Sequence, residues 1–304
     1  MGTPDFAVES LKVLVDNGYN VVAVVTMPDK PSGRGHKVQF SAVKQYALSV
    51  GLPVLQPEKL KAEEFLRELR AYNADLQIVV AFRMLPEVVW AMPRFGTFNL
   101  HASLLPQYRG AAPLNWAIIN GEKETGVTTF FLKQEIDTGD MILQQRVPIE
   151  KTDDVGILHD KLMTIGANMV LQTVDMILEG NVSRTPQPVI PANELKPAPK
   201  IFKETCEIDF SQPAEQIYNF VRGLSPYPAA WATLQLGSQE ETVKIFKVAY
   251  EEDDKPMTVA PKTVRTDYKT YLKIACLNGW IDILELQLPG KKRLAIRDVL
   301  NGLH

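Results

Sequence analysis

Three side chains have types and spacing that could do chemistry together. Asn99 and His101 stand two residues apart in the run TFNLH, Thr97–His101, and Asp137 lies in the turn Ile136-Asp137-Thr138-Gly139-Asp140. On an extended segment, residues two apart project to the same face. A carboxylate beside a histidine favours the imidazolium and fixes its orientation, while an asparagine amide alongside can donate to an oxygen that becomes negative. Together they would serve acyl transfer without a protein nucleophile. Spacing alone leaves a plainer reading open, because Asn-x-His at a strand end can satisfy a turn and Asp-Thr-Gly-Asp is by itself an ordinary one.

Such residues need elements to hold them. Residues 21–26 (VVAVVT), 76–81 (LQIVVA) and 97–101 are short apolar or β-branched runs of the kind a covered parallel sheet requires. Between them, Ala7, Leu11, Leu14 and Val15 make an apolar stripe that Gly18 can end, and Leu60, Phe65 and Leu69 make another among charges. Strands alternating with helices predict an α/β fold with an open sheet, whose ligands bind beyond the carboxyl ends of the strands. Asn99 and His101 occupy such an end, and Asp137 follows a further strand-like run at 127–132, so it can reach the same crevice. Neither GxGxxG nor GxxxxGK[ST] is present, so nucleotide-binding readings lack their motif.

The chain reaches its first helix after only a Gly-Thr-Pro turn, which predicts that a first strand is missing at the N-terminus, the plainer alternative being a fold that begins at a helix. From Asp153 a helix is expected through Glu179, with Gly180 as its stop. Residues 185–200, TPQPVIPANELKPAPK, contain five prolines and no glycine, which suits an extended linker. A helix at 213–222 and alternating strands at 231–236, 243–248, 271–276 and 280–288 then predict a small β-barrel.

A length of 304 residues with 45% hydrophobic and 23% charged side chains points to two globular domains and excludes disordered, collagen-like and coiled-coil classes. Cys206 and Cys276 make no disulfide framework, and no Cys/His cluster has zinc spacing, so a reducing compartment and no metal are expected. The start lacks the basic and apolar regions of a signal peptide, and no long apolar run follows; a cytoplasmic protein is expected.

A net charge of −3 gives no global attraction to phosphate, so any nucleic-acid contact must be local. Residues 29–44 carry Lys30, Arg34, Lys37 and Lys44 against Asp29, a local +3, which reads either as a phosphate-binding loop or as a solvated surface loop. From Lys196 onward the balance is +1, against −4 before it. There Lys291, Lys292 and Arg293 could track a phosphate backbone or simply close a hairpin.

The segment HASLLPQYRGAAPLNWAI, 101–118, followed by Asp-Thr-Gly, resembles the formyltransferases that use 10-formyltetrahydrofolate. MGTPDFAV at the start, PDKPSGRGHK at 28–37 and ILELQLPGKKRLAIRDVLNG at 283–302 extend the likeness over nearly the whole chain, and narrow it to the branch acting on methionyl-tRNA. The likeness is looser at 239–269. The resemblance implies that Asn99, His101 and Asp137 are catalytic, that Ser103, Leu104, Leu105 and Pro106 bind the tetrahydrofolate, and that Arg34 and Lys37 contact the tRNA acceptor arm. It implies a Rossmann-like formyltransferase domain (1–184), a linker (185–203) and an OB-like tRNA-binding barrel (204–304). Methionyl initiator tRNA and the folate cosubstrate would be the partners of a monomeric, membrane-free protein.

Two departures accompany the likeness. The family's first strand normally precedes Met-Gly-Thr-Pro, and at 81–86, AFRMLP, many members have a glycine and one more residue. Arg83 in that turn reads either as approaching the pterin end of the folate or as lying on the surface. Competing functions are a formyltransferase for an amino sugar nucleotide or purine precursor, a non-catalytic RNA-binding relative, and a hydrolase releasing formate from the folate.

Overall fold

The computed structural model describes residues 1–32, 37–237, 239–253 and 256–302, with no account of the side chains of Pro31, Ser32 and Lys37. In chain order its elements are α1 (Asp5–Asp16), β1 (Val24–Val25), β2 (Lys30–Ser32), β3 (Lys37–Gln39), α2 (Ala42–Ser49), β4 (Val54–Leu55), α3 (Glu63–Ala71), β5 (Gln77–Val80), α4 (Glu87–Trp90), β6 (Thr97–His101), α5 (Pro113–Ile119), β7 (Glu124–Phe131), β8 (Met141–Pro148) and α6 (Val155–Leu178). After two short 3-10 turns come α7 (Ala214–Leu224), β9 (Ala230–Leu236), β10 (Gln239–Glu252), β11 (Val264–Thr266), β12 (Leu272–Cys276), β13 (Gly279–Gln287), β14 (Leu294–Ala295) and α8 (Ile296–Asn301). The chain makes two compact units. One comprises Met1–Gly110, Thr125–Val147 and His159–Lys196; the other comprises Ala111–Glu124, Pro148–Leu158 and Pro197–His304. No helix among the described residues is long and apolar enough to cross a membrane.

In the first unit, β5, β6, β7 and β8 form one sheet in that order, with β5 and β6 parallel and β6 and β7 antiparallel. A separate parallel pair joins β1 to β4. Helix α3 buries Phe65, Leu66 and Leu69 into a core with Val25, Leu55, Val79 and Val89, as its apolar stripe among charges predicts. Helix α1 ends before Gly18, which takes φ +76°, and α6 before Gly180 at φ +72°.

Residues 21–26 read as a six-residue strand, yet only Val24 and Val25 pair. The reason lies beside them. Met1 and Gly2 run between β1 and β5 like the end of a strand, with Gly2 N–H donating to the Val25 carbonyl (3.0 Å), Val80 N–H to the Met1 carbonyl (2.9 Å), and the Met1 amine to the Ile78 carbonyl (2.7 Å). Adjoining them is a cavity of about 440 Å³ lined by Val21, Val22, Ala23, Leu76 and Ile78 among others. Among the described residues, 21–23 have no ladder neighbour on that side, and strands form only against a partner.

The second unit is an antiparallel sheet in the order β11-β12-β13-β10-β9, with β14 added on β13. Strand β10 pairs with β9 along its first half and with β13 along its second, and its register shifts between Ile245 and Val248. Such a bulge bends a strand and increases its twist. The result is a curled half-barrel whose path ends at β9 and β11, around Leu234, Val243, Ile245, Ile274, Ile281 and Ile283. Helix α7 covers this core with Ile217, Val221 and Leu224.

Candidate active site

Strand β6 has the bounds its sequence predicts, and pairs Val79 with Asn99 on one side, Asn99 with Phe130 and His101 with Thr128 on the other. The alternation divides its residues. Leu100 projects to the face covered by α6, where a Cβ on Gly166 would come within 2.7 Å of Leu100 Cδ2, so the helix approaches the strand closely over a glycine. Asn99 and His101 share the opposite parity.

His101 is buried at 7% exposure, edge-on to the Phe130 ring with centroids 6.5 Å apart. Its Nε2 lies 2.8 Å from the Tyr108 carbonyl. A carbonyl only accepts, so Nε2 carries the hydrogen, and Nδ1 faces the Asp137 carboxylate at 3.9 Å. In the imidazolium form Nδ1–H points toward that carboxylate. Asn99 is half-buried, and its amide has no hydrogen-bond partner among the described residues. The three residues nominated from sequence thus fall into a strand-and-turn arrangement in which the histidine and the aspartate face one another.

Asp137 is held by its surroundings. Its Oδ2 accepts from Gly110 N–H (3.0 Å), and its backbone takes φ +54°. Two residues on, a Cβ at Gly139 would stand 1.5 Å from the Phe131 carbonyl oxygen, so the turn closes against β7 only with glycine there.

The Ser103 to Pro106 loop is tied down from within. Ser103 is fully buried and donates through Oγ to the Gln107 carbonyl (2.7 Å). Thr128 Oγ1 donates to the Ser103 carbonyl (2.7 Å) and accepts from Gln144 Nε2 (2.9 Å), which also donates to the Leu105 carbonyl (3.1 Å). Leu105 and Pro106 are buried, while Leu104 is half-buried and packs against Gly126. Of these four side chains, the structure leaves only Leu104 partly open.

Among the basic residues, Arg34 lies outside the described residues, and Lys37 opens β3 opposite Ser32 in the β2–β3 hairpin. Lys44 is occupied: its Nζ is 2.5 Å from Asp29 Oδ2 and 3.9 Å from the centre of the Phe40 ring. That hydrogen bond, followed by one from Gln56, holds the Asp29 carboxyl below its ordinary range. Because the pair cancels, the local +3 rests on Lys30, Arg34 and Lys37. Arg293 pairs with Glu285 at 2.6 Å and lies over Phe246, while the Lys291 carbonyl accepts from Gln287, so this cluster closes the β13–β14 hairpin with Lys291 and Lys292 exposed. The Arg83 guanidinium donates to the carbonyls of Pro57 and Glu58, bracing a neighbouring loop.

Sequence reasoning missed Tyr108, Gly110, Thr128 and Gln144, which orient the nominated residues mostly through backbone hydrogen bonds. It also missed Gln187, whose position in a proline-rich stretch signals only extended chain. Its amide donates to the carbonyls of Asp137 (2.8 Å) and Gly139 (2.9 Å).

Comparison with known proteins gives this geometry a family. Residues 1–174 match Formyl transferase, and residues 200–304 match Formyl transferase, C-terminal domain. The Methionyl-tRNA formyltransferase of Bacteroides fragilis is 63% identical over 306 residues, a span of 100% of this chain and 94% of that protein. Its namesake from Flavobacterium johnsoniae is 53% identical over 303 residues, covering 100% and 95%. Among solved structures, the sugar 3N-formyl transferase WlaRD aligns with a TM-score of 0.66 at 20% identity, over 96% of this chain and 97% of that one. HypX from Aquifex aeolicus in complex with tetrahydrofolic acid aligns with a TM-score of 0.59 at 23% identity, over 84% and 43%. At these identities the two structures speak for the fold alone. The full-length relatives and both domain matches agree, and the chain belongs to the formyl transferase family.

Proposed function

We infer that this protein transfers a formyl group from 10-formyltetrahydrofolate to the α-amino group of methionine carried on initiator tRNA, for translation initiation. The observation that carries this reading is identity of 53–63% to methionyl-tRNA formyltransferases along the whole chain. The site geometry supports the chemistry. A half-buried Asn99 amide without a partner among the described residues suits the formyl oxygen of the donor, and the positive charge of a protonated His101, whose N–H groups face Tyr108 and Asp137, would favour that oxygen electrostatically as it becomes negative under attack by the amine. Asp137, 3.9 Å from the imidazole, would balance its charge and take the proton that the attacking amine gives up, directly or through water; collapse of the intermediate then breaks the bond from the formyl carbon to the folate nitrogen, which leaves carrying a proton. The Ser103 to Pro106 loop would border the folate through Leu104 and backbone groups. Residues 1–184 would do the chemistry and 185–203 would link them to a tRNA-binding half-barrel at 204–304, with Arg34 and Lys37 at the acceptor arm. The protein would act as a cytoplasmic monomer that needs no metal.

The deciding experiment is transfer of labelled formyl to charged initiator tRNA, with charged elongator tRNA and an amino sugar nucleotide as competitors. Preference for the sugar nucleotide would overturn the reading, and formate release without an acceptor would identify a hydrolase. In this assay Asp137→Asn should lower turnover about a hundredfold or more while leaving the folate KM nearly unchanged, as loss of one group acting on the transition state does. Parent-like turnover in Asp137→Asn or in Asn99→Ala would remove that residue from the site.

A further inference from the structure

The turn that carries Asp137 has hydrogen bonds of its own, Thr138 Oγ1 donating to the Glu135 carbonyl (3.0 Å) and Lys133 Nζ to Asp140 Oδ1 (2.8 Å), but neither touches Asp137. Residues 133–136 before it are exposed, and its own φ of +54° lies in the left-handed region that non-glycine residues disfavour. The grip on the Asp137 backbone carbonyl comes from 50 residues away. Gln187 Nε2 donates to the carbonyls of both Asp137 (2.8 Å) and Gly139 (2.9 Å), bridging the two ends of Asp-Thr-Gly. Its Oε1 in turn accepts from Arg109 Nη2 at 2.7 Å. This network admits only one orientation of the amide, because Arg109 can only donate and the two carbonyls can only accept.

Arg109 belongs to a tripeptide with three tasks. Tyr108 gives its carbonyl to His101 Nε2, Arg109 orients Gln187, and Gly110 gives its N–H to Asp137 Oδ2. The path from His101 through Tyr108, Arg109, Gln187 and the Asp137 backbone returns through the Asp137 carboxylate to the imidazole. We propose that Gln187 is a positioning residue for formyl transfer, acting through Asp137 by clamping its turn so that the carboxylate keeps its place opposite His101. The proposal rests on the role of Asp137 given above.

The test uses the full chain and two variants of similar length. Gln187→Met fills the same space without polar atoms, and Gln187→Glu keeps the acceptor for Arg109 but loses the donor to both carbonyls. Both should lower kcat roughly ten- to a hundredfold, the loss that displacement of a reacting group by about 1 Å produces. The KM values for folate and for methionyl-tRNA should stay within about twofold, since neither ligand would touch Gln187. A packing role would instead leave Gln187→Met parent-like, and that result would overturn the proposal. So would a fall in melting temperature with kcat unchanged. Asp137→Asn, assayed alongside, separates the two levels: if it is inactive while both Gln187 variants turn over normally, the clamp is wrong and the role of Asp137 stands. If Asp137→Asn turns over normally, both fall.

Discussion

At the scale of single residues, the site is a matter of where small backbone groups are allowed to be. His101 is oriented by the Tyr108 carbonyl, and Asp137 by the Gly110 amide and the Gln187 bridge. Gly139 makes their meeting possible, because its Cα lies against the Phe131 carbonyl where a Cβ would stand 1.5 Å from the oxygen. That neighbour is backbone inside a sheet and cannot rotate away, so Gly139→Ala must push the Asp137 turn off β7. We expect kcat to fall roughly a hundredfold, with a stability loss of about 1–3 kcal/mol from the overpacked contact. Single-turnover formyl transfer and denaturant unfolding would check the two parts. An alanine variant with parent-like turnover would show that the turn tolerates displacement.

At the scale of elements, β6 can hold Asn99 and His101 in place because it is paired on both sides and covered by α6 on its Leu100 face. The fit beside β5 is close as well: a Cβ on Gly2 would stand 2.7 Å from the Val80 carbonyl oxygen and 2.6 Å from Ala7 Cβ, so Gly2→Ala should cost about 1–3 kcal/mol in urea unfolding, and parent-like stability would show that this seam is loose.

At the scale of the whole molecule, a net charge of −3 leaves tRNA attraction to a few local cations. With Lys44 spent on Asp29, three cations of the 29–44 segment remain, Lys30, Arg34 and Lys37. If these three meet phosphates, the tRNA KM should rise with salt with a log–log slope of about 2 to 3, and Arg34→Ala should lower that slope by about 1. The folate KM of the same variant should not move. What the sequence alone determined is whatever depends on short-range pattern: alternation placed Asn99 and His101 on one face of a strand whose bounds it read correctly, apolar stripes found α1 and α3, and helices were expected where α6 and α7 lie. Only the tertiary structure decided the rest. It showed that residues 21–23 pair with none of the described residues on the cavity side, that Lys44 serves Asp29 rather than remaining open to solvent, and that Gln187 reaches the carbonyls of Asp137 and Gly139. Periodicity records which face of an element is buried, a property of neighbours in the chain. Hydrogen bonds from a side chain to a distant backbone depend on how separate segments are brought together, and residue spacing carries no trace of them.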